Sequence, residues 1–179
     1  MQAHTVFIVS GPAGVGKSTT SKQLAKKLPF SAFISGDLVS HMHIGGRQKP
    51  WKSQEETSLI WENILSLTRN FLKYGNDVVI DYVTFPGEAR WLHEKLLDVE
   101  SEVHVKYVVL WTDKDTLVKR DSMRKEEYRM GDRCLILVDE FHHSGLDKRH
   151  ILDTSEKSVR ELNEILAEII DNERFTIRE

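Results

Sequence analysis

Gly11, Gly14, Gly16, Lys17 and Ser18 are the residues whose types and spacing most constrain the chemistry open to this chain. Glycines lack a Cβ and accept positive φ, so successive backbone N–H groups can turn toward one anion. A helix starting near Gly16 adds unpaired N–H donors and the positive end of its dipole. Lys17 then reaches the β- and γ-phosphates of a nucleotide as a mobile point charge, and the Ser18 hydroxyl can ligate Mg²⁺. The run fits the P-loop pattern G-x-x-x-x-G-K-[ST], with Gly11, Gly16, Lys17 and Ser18 in the specified places. A glycine-rich turn that merely joins a strand to a helix is the alternative, but such a turn has no need of Lys and Ser there.

Two aspartates offer the next chemistry. Asp81 ends the apolar run Val78-Val79-Ile80, the Walker B arrangement in which a carboxylate holds Mg²⁺ directly or through water. Asp37 follows Ser31-Ala32-Phe33-Ile34-Ser35 and Gly36; a carboxylate there can receive the proton of an attacking hydroxyl. A polar strand end for Asp81 and a helix N-cap for Asp37 are the plainer readings. Arg120 and Arg124 form a like-charge i,i+4 pair, which is unfavourable unless something anionic offsets it. A transferring phosphoryl group is one such anion; local pairing with Asp121, Glu126 and Glu127 is the other possibility. Arg129 and Arg133 flank Met130-Gly131-Asp132, and a mobile polar segment carrying arginines reads as a lid.

The elements that must position these residues alternate. Thr5 to Ser10, Ser31 to Ser35, Asp77 to Asp81, Val103 to Trp111 and Ile151-Leu152 read as strands. Between them the pattern predicts helices after Gly16, after a Ser53/Glu56 capping box and after Pro86-Gly87. Further helices are predicted after a cap at Thr112 and Asp115, over Leu135 to Phe141, and after Ser158/Glu161. His41 to Trp51 reads as a polar loop, and the tail Phe175-Thr176-Ile177 is ambiguous. Such βα alternation implies a parallel sheet with helices on both faces and ligands at the carboxyl ends of the strands.

With 179 residues, the chain suits one domain spanning 1–179. Its 25 Lys and Arg against 28 Asp and Glu, net charge −3, offer no electrostatic footprint for duplex nucleic acid or an anionic membrane. Cys134 stands alone, unable to form an internal disulfide, and fits a reducing compartment. No apolar run approaches a membrane span and no signal peptide is evident, so a cytoplasmic protein is expected. In the polar loop, Arg47, Lys49 and Lys52 suit a carboxylate or hydroxyl partner or a solvated surface. His41 and His43 read as loop residues rather than a metal site, and Trp51, Trp61, Trp91 and Trp111 as core or pocket wall.

The P-loop, Ser35-Gly36-Asp37, the helix with Arg120 and Arg124, and Ile151-Leu152-Asp153-Thr154-Ser155 together resemble the small-molecule P-loop kinases. That group includes the shikimate, gluconate and adenylate kinases, chloramphenicol phosphotransferase and the zeta toxins. The resemblance implies a P-loop NTPase three-layer α/β sandwich with a five-stranded parallel sheet of order 2-3-1-4-5. It implies an acceptor-binding region at about 38–75 and a lid at about 124–134. It further implies nucleotide binding by Gly11, Ala13, Gly14, Val15, Gly16, Lys17, Ser18, Thr19, Arg120, Asp153 and Thr154, and Mg²⁺ on Ser18 and Asp81. Asp37 falls where chloramphenicol phosphotransferase and zeta toxins carry their general base, with Lys17, Arg120, Arg124 and Arg133 as the catalytic cations. Leu38 and Val39 stand where shikimate kinases continue D-x-D, and gluconate kinase is the member resembled best. The expected activity is transfer from ATP to a hydroxyl-bearing small molecule, possible acceptors being a sugar acid or, alternatively, an antibiotic or nucleotide sugar. A regulatory ATP-binding switch with no acceptor is the reading from another class.

Overall fold

Val6 to Val9, Val78 to Ile80 and Val105 to Leu110 are almost wholly inaccessible to solvent. A strand covered on both faces has to be largely apolar, and these runs are, except for Lys106, whose ammonium donates to the Ile170 carbonyl at 2.6 Å. They form β1 (Thr5–Ser10), β3 (Asp77–Asp81) and β4 (His104–Trp111) in a computed structural model that describes residues 4–98 and 102–178. At one edge β2 (Ser31–Ser35) alternates buried and half-buried residues, and at the other β5 (Ile151–Asp153) is short. All pairings are parallel and the strand order is β2-β3-β1-β4-β5. One face of the sheet packs on α3 (Gln54–Lys73) and α4 (Pro86–Leu97) through Ile60, Trp61, Ile64, Leu92 and Leu96. The other packs on α1 (Lys17–Lys27), α6 (Arg133–His143) and α7 (Leu162–Asp171) through Leu24, Leu137, Val138, Leu166 and Ile169. This is the three-layer α/β sandwich expected.

Several local expectations are corrected. The segment after β2 is helical from its first residue, α2 (Gly36–Met42), with Ser35 as N-cap: its Oγ accepts the Leu38 N–H at 3.3 Å. The polar loop therefore starts at His43 rather than His41. Ser53 caps α3 through the Glu56 N–H at 3.2 Å, but Glu56 does not close the box. Its carboxylate turns to His43 Nδ1 at 2.9 Å and accepts the Gln48 N–H at 3.2 Å. α5 (Lys114–Ser122) is capped by Asp113, which accepts the Thr116 N–H at 2.8 Å, rather than by Thr112 or Asp115. Thr112 is buried as the chain leaves β4, so the next residue is the first with a side chain free to turn back. α6 begins two residues earlier than the apolar pattern indicated. The tail is structured: the Ile177 N–H reaches the Val105 carbonyl at 2.8 Å, and Thr176 bridges Lys106 antiparallel. β5 pairs only with Val109 to Trp111, and the tail covers β4 below it.

No helix among the described residues is long and apolar enough to cross a membrane.

Candidate active site

The glycine loop leaves β1 at the carboxyl edge of the sheet. Gly11, Gly14 and Gly16 have φ of 132°, 88° and 102°. At Gly11 the requirement is doubled, because a Cβ would collide with the Leu110 carbonyl of the adjoining strand. Ala13 and Val15 bury their side chains in the core beneath, which leaves the loop backbone to face outward. A Cβ on Gly14 would come into ordinary contact with Leu117 and Asp121 of α5, so that helix runs alongside the loop. Gly16 precedes α1 without any side-chain cap, and no acidic residue occupies the first turn. The N-terminal amides of α1 are thus left to an anion.

Lys17 folds over this loop and donates to the Pro12 carbonyl at 3.0 Å. Burial lowers its ammonium to about 8, against the opposing pull of Asp81 and Asp37. Asp81, 7% exposed, lies between Val9 of β1 and Ser35 of β2 in the register of the sheet. Burial raises its carboxyl above the ordinary carboxylate range, opposed by a hydrogen bond from Ser18 and by Lys17. Asp37 is exposed at the second position of α2, and because Ser35 supplies the cap, the Asp37 side chain does not. Its charge acts on both Lys17 and Asp81. Strands β1, β2 and β3 thereby bring the expected phosphate, metal and base residues into one charged cluster.

The arginines divide. Arg120, half-buried on α5, donates Nη1–H to the Val15 carbonyl at 3.2 Å and so joins the loop. Arg124 stands 3.8 Å from Asp121 and near enough to Lys17 to depress its pKa. Arg129 turns back to the Arg124 carbonyl at 3.1 Å. Arg133 makes a bidentate pair with Glu140 at 2.9 and 3.1 Å and lies 5.2 Å from the centre of the Trp51 ring. The end of the expected lid is held rather than loose. Asp121, buried, accepts the N–H groups of Met130 at 3.0 Å and Gly131 at 2.9 Å. Burial pushes the Asp121 carboxyl up, but these donors and Arg124 bring it below the usual range. Sequence reading treated Asp121 as a surface partner for arginine; its amide partners lie nine and ten residues away in an irregular segment, which no local pattern signals.

Toward the acceptor side, Tyr82 was not singled out by the sequence. A Cβ on Gly36 would run into the base of the Tyr82 ring, and the ring meets Trp61 edge-on at 5.8 Å between centroids. Burial raises the Tyr82 phenol, reinforced by the charges of Asp37 and Glu88. Gly36, directly before Asp37, was the available clue. The Arg47 guanidinium is drawn inward to the Ser40 carbonyl at 2.9 Å and Ser40 Oγ at 2.8 Å. Lys49 lies 5.5 Å from the Trp51 ring centre, and Trp51 itself is 53% exposed, no core residue. His41 contacts the Asp37 carbonyl at 2.6 Å and His43 contacts Glu56. At the far edge, Thr154 donates to the Trp111 carbonyl and Asp153 accepts the Ser155 N–H at 2.8 Å. This small turn sits at the carboxyl end of β5, beside the loop.

A hydroxyl hydrogen-bonded to a buried carboxylate, beside a glycine cradle that a Cβ would fill, fits a nucleotide phosphate with Mg²⁺. Among the described residues no cluster of three or more His, Cys, Asp or Glu could hold a metal by protein ligands alone.

The sheet order and the loop at the end of β1 define a P-loop protein with the fold of the small-molecule kinases. The chain belongs to the AAA domain family, whose model matches residues 6–134. It is 22% identical over 165 residues to a probable gluconokinase of Schizosaccharomyces pombe, covering 89% of this chain and 83% of that one. Among solved structures it is similar to the tunicamycin resistance protein of Deinococcus radiodurans, with a TM-score of 0.65 and 16% identity over 95% of this chain and 96% of the other. It is also similar to a sugar kinase from Janibacter sp. HTCC2649, with a TM-score of 0.64 and 14% identity over 97% of each chain.

Proposed function

We propose that this protein transfers the γ-phosphoryl group of ATP to a hydroxyl of a small molecule. The observation that carries the reading is the shared cluster of Lys17, Asp81 and Asp37, in which the Asp37 charge acts on both Lys17 and Asp81. A binding module needs the first two; a carboxylate facing them from the open side is what phosphoryl transfer adds. The relatives named above favour a kinase over a regulatory switch.

In this reading the loop amides from Gly11 to Thr19 and the Lys17 ammonium bind the phosphates, while Asp153 and Thr154 border the base. Ser18 and Asp81 hold Mg²⁺, which when bound supplies positive charge against the phosphates. Asp37 orients the acceptor and receives its hydroxyl proton as the oxygen bonds to the γ-phosphorus and the bond to the β-phosphate oxygen breaks, releasing ADP. The transition state spreads charge over the equatorial oxygens, and Arg120 and Arg124 oppose it. Arg133, paired with Glu140, has to leave it to join them, and in this reading the segment 124–134 acts as the lid that carries it. The region 38–75 supplies the acceptor site.

Two acceptor classes are open within this reading. A sugar acid is favoured by the gluconokinase relative, and a bulkier ring-bearing compound such as an antibiotic or nucleotide sugar by the aromatic side chains beyond Tyr82. The test is acceptor-dependent ADP release across sugar acids, sugars, nucleosides and hydroxylated antibiotics. Tight ATP binding with no stimulation by any hydroxyl compound would sink phosphotransfer and leave the switch.

A further inference from the structure

Beyond Tyr82 a cleft of about 270 Å³ opens between the N-terminal halves of α3 and α4. Both helix ends lie at the carboxyl edge of the sheet: α3 runs back toward the start of β3, and α4 departs from its end. The cleft is therefore on the same side as the P-loop. Its volume lies just below the usual range of about 300–1,000 Å³ for small-molecule sites, so a ligand there is no larger than a single ring. Trp61 and Trp91 supply aromatic surface, and Glu62 and Glu88 two carboxylates, with Gln54 and Ser58 between them. No Lys or Arg lines it. The Trp61 indole N–H lies beside Glu88 without a hydrogen bond of good geometry, and Glu88 already accepts the Phe85 N–H at 2.7 Å. Tyr82 joins this cleft to the base, since its ring contacts Trp61 on one side and covers Gly36, next to Asp37, on the other.

That composition selects by charge. An anionic acceptor entering here would meet two carboxylates and no cation, and like charges at close range disfavour the wrong partner. The basic residues of the neighbouring loop, Arg47, Lys49 and Lys52, are not among those that line it; Arg47 is held at Ser40 and Lys49 at Trp51. Carboxylates and amides accept hydrogen bonds from hydroxyl or ammonium groups, and indole faces attract C–H bonds or cations. Resting on the phosphotransfer reading, we infer that the acceptor is a non-anionic hydroxylated ring, a neutral sugar or an amino sugar, held against Trp91 in the α3–α4 cleft and not a sugar acid.

Two measurements on the full chain test this. The first is ADP release with matched neutral, amino and acid forms of one sugar, for the wild type and Glu62→Lys. The inference expects turnover with the neutral or amino form, the more active of the two naming the source, and a KM for that form raised at least tenfold by Glu62→Lys. The second is binding of the same three compounds, read by tryptophan fluorescence in the wild type and Trp91→Phe, with ATP affinity as the check on folding. Turnover that favours the sugar acid, or a KM indifferent to Glu62→Lys, overturns the assignment while leaving phosphotransfer standing. Binding of the neutral or amino form that Trp91→Phe weakens, without turnover, upholds the cleft and rejects phosphotransfer. Neither turnover nor binding of any of the three compounds overturns both.

Discussion

Around the P-loop, side chains are tied to backbone atoms of the loop itself: Lys17 to Pro12 and Arg120 to Val15. Around the acceptor region the ties run between side chains or to distant backbone: His43 to Glu56, Arg47 to Ser40, Arg133 to Glu140 and across Trp51. The donor half sits on buried strands and is nearly rigid by construction; the acceptor half rests on one short helix, a loop and exposed aromatics. Such a division suits a protein whose nucleotide is constant and whose second substrate distinguishes it, because precise phosphate placement needs a preorganised backbone while acceptor choice needs replaceable side chains. It also locates what is cheap to change and what is not.

The largest expected effect tests the acceptor half alone. Asp37→Ala should lower kcat by roughly 10²–10⁴-fold and leave the ATP Kd within about threefold, measured by steady-state turnover and calorimetry; an equal loss of both would merge the two halves. Next, Gly11→Ala should weaken ATP binding by about 100-fold, since the substitution demands a positive φ and a clash with the Leu110 carbonyl at once. Unchanged nucleotide affinity would mean that the loop is not the rigid partner supposed. On the acceptor side, Gly36→Ala should destabilise the fold by about 1–3 kcal/mol as the new methyl displaces Tyr82. Gly45→Ala, with no atom in its way, should stay within about 0.5 kcal/mol by chemical denaturation.

The smallest effect is protonic. The Lys17 pKa is depressed in the fold, to about 8 from 10.5. The cost of burying its charge is therefore present at neutral pH and is relieved as pH rises through about 8, where the unfolded chain still holds the proton. Bound phosphates favour the charged form. ATP binding at about pH 8.5 should accordingly take up a fraction of one proton, and at about pH 6.5 almost none. Calorimetry in buffers of different ionisation enthalpy reads this directly, and Lys17→Met should remove the difference.

Residues 5–37 were almost fully legible in the sequence. β1 and β2 matched residue for residue, as did β3 farther along, because buried parallel strands must be continuously apolar and the glycine loop has one structural solution. The juxtaposition of Lys17, Asp81 and Asp37 followed from strand ends alone, since a parallel sheet gathers them on one edge. Helix α2 was assigned to no element over its first five residues, and its last two, His41 and Met42, were read as loop, because its only apolar residues are Leu38, Val39 and Met42, too few to show a period. Glu56 fitted a capping box by spacing, yet the protein gave its carboxylate to the His43 ring and the Gln48 amide, thirteen and eight residues away, which outweighed the amide of the N-cap.

What the sequence by itself determined, then, was the fold, the glycine loop, and the order in which Lys17, Asp37 and Asp81 reach the sheet edge. Each depends on neighbours a few residues apart, where periodicity and backbone sterics act. Only the tertiary structure decided that Asp121 holds the backbone at Met130 and Gly131, that Arg133 rests on Glu140 and Trp51, and that Trp61, Trp91, Glu62 and Glu88 share a cleft that no Lys or Arg lines. Those contacts join helices and loops whose relative placement is set by packing on the sheet, and no spacing along the chain encodes it.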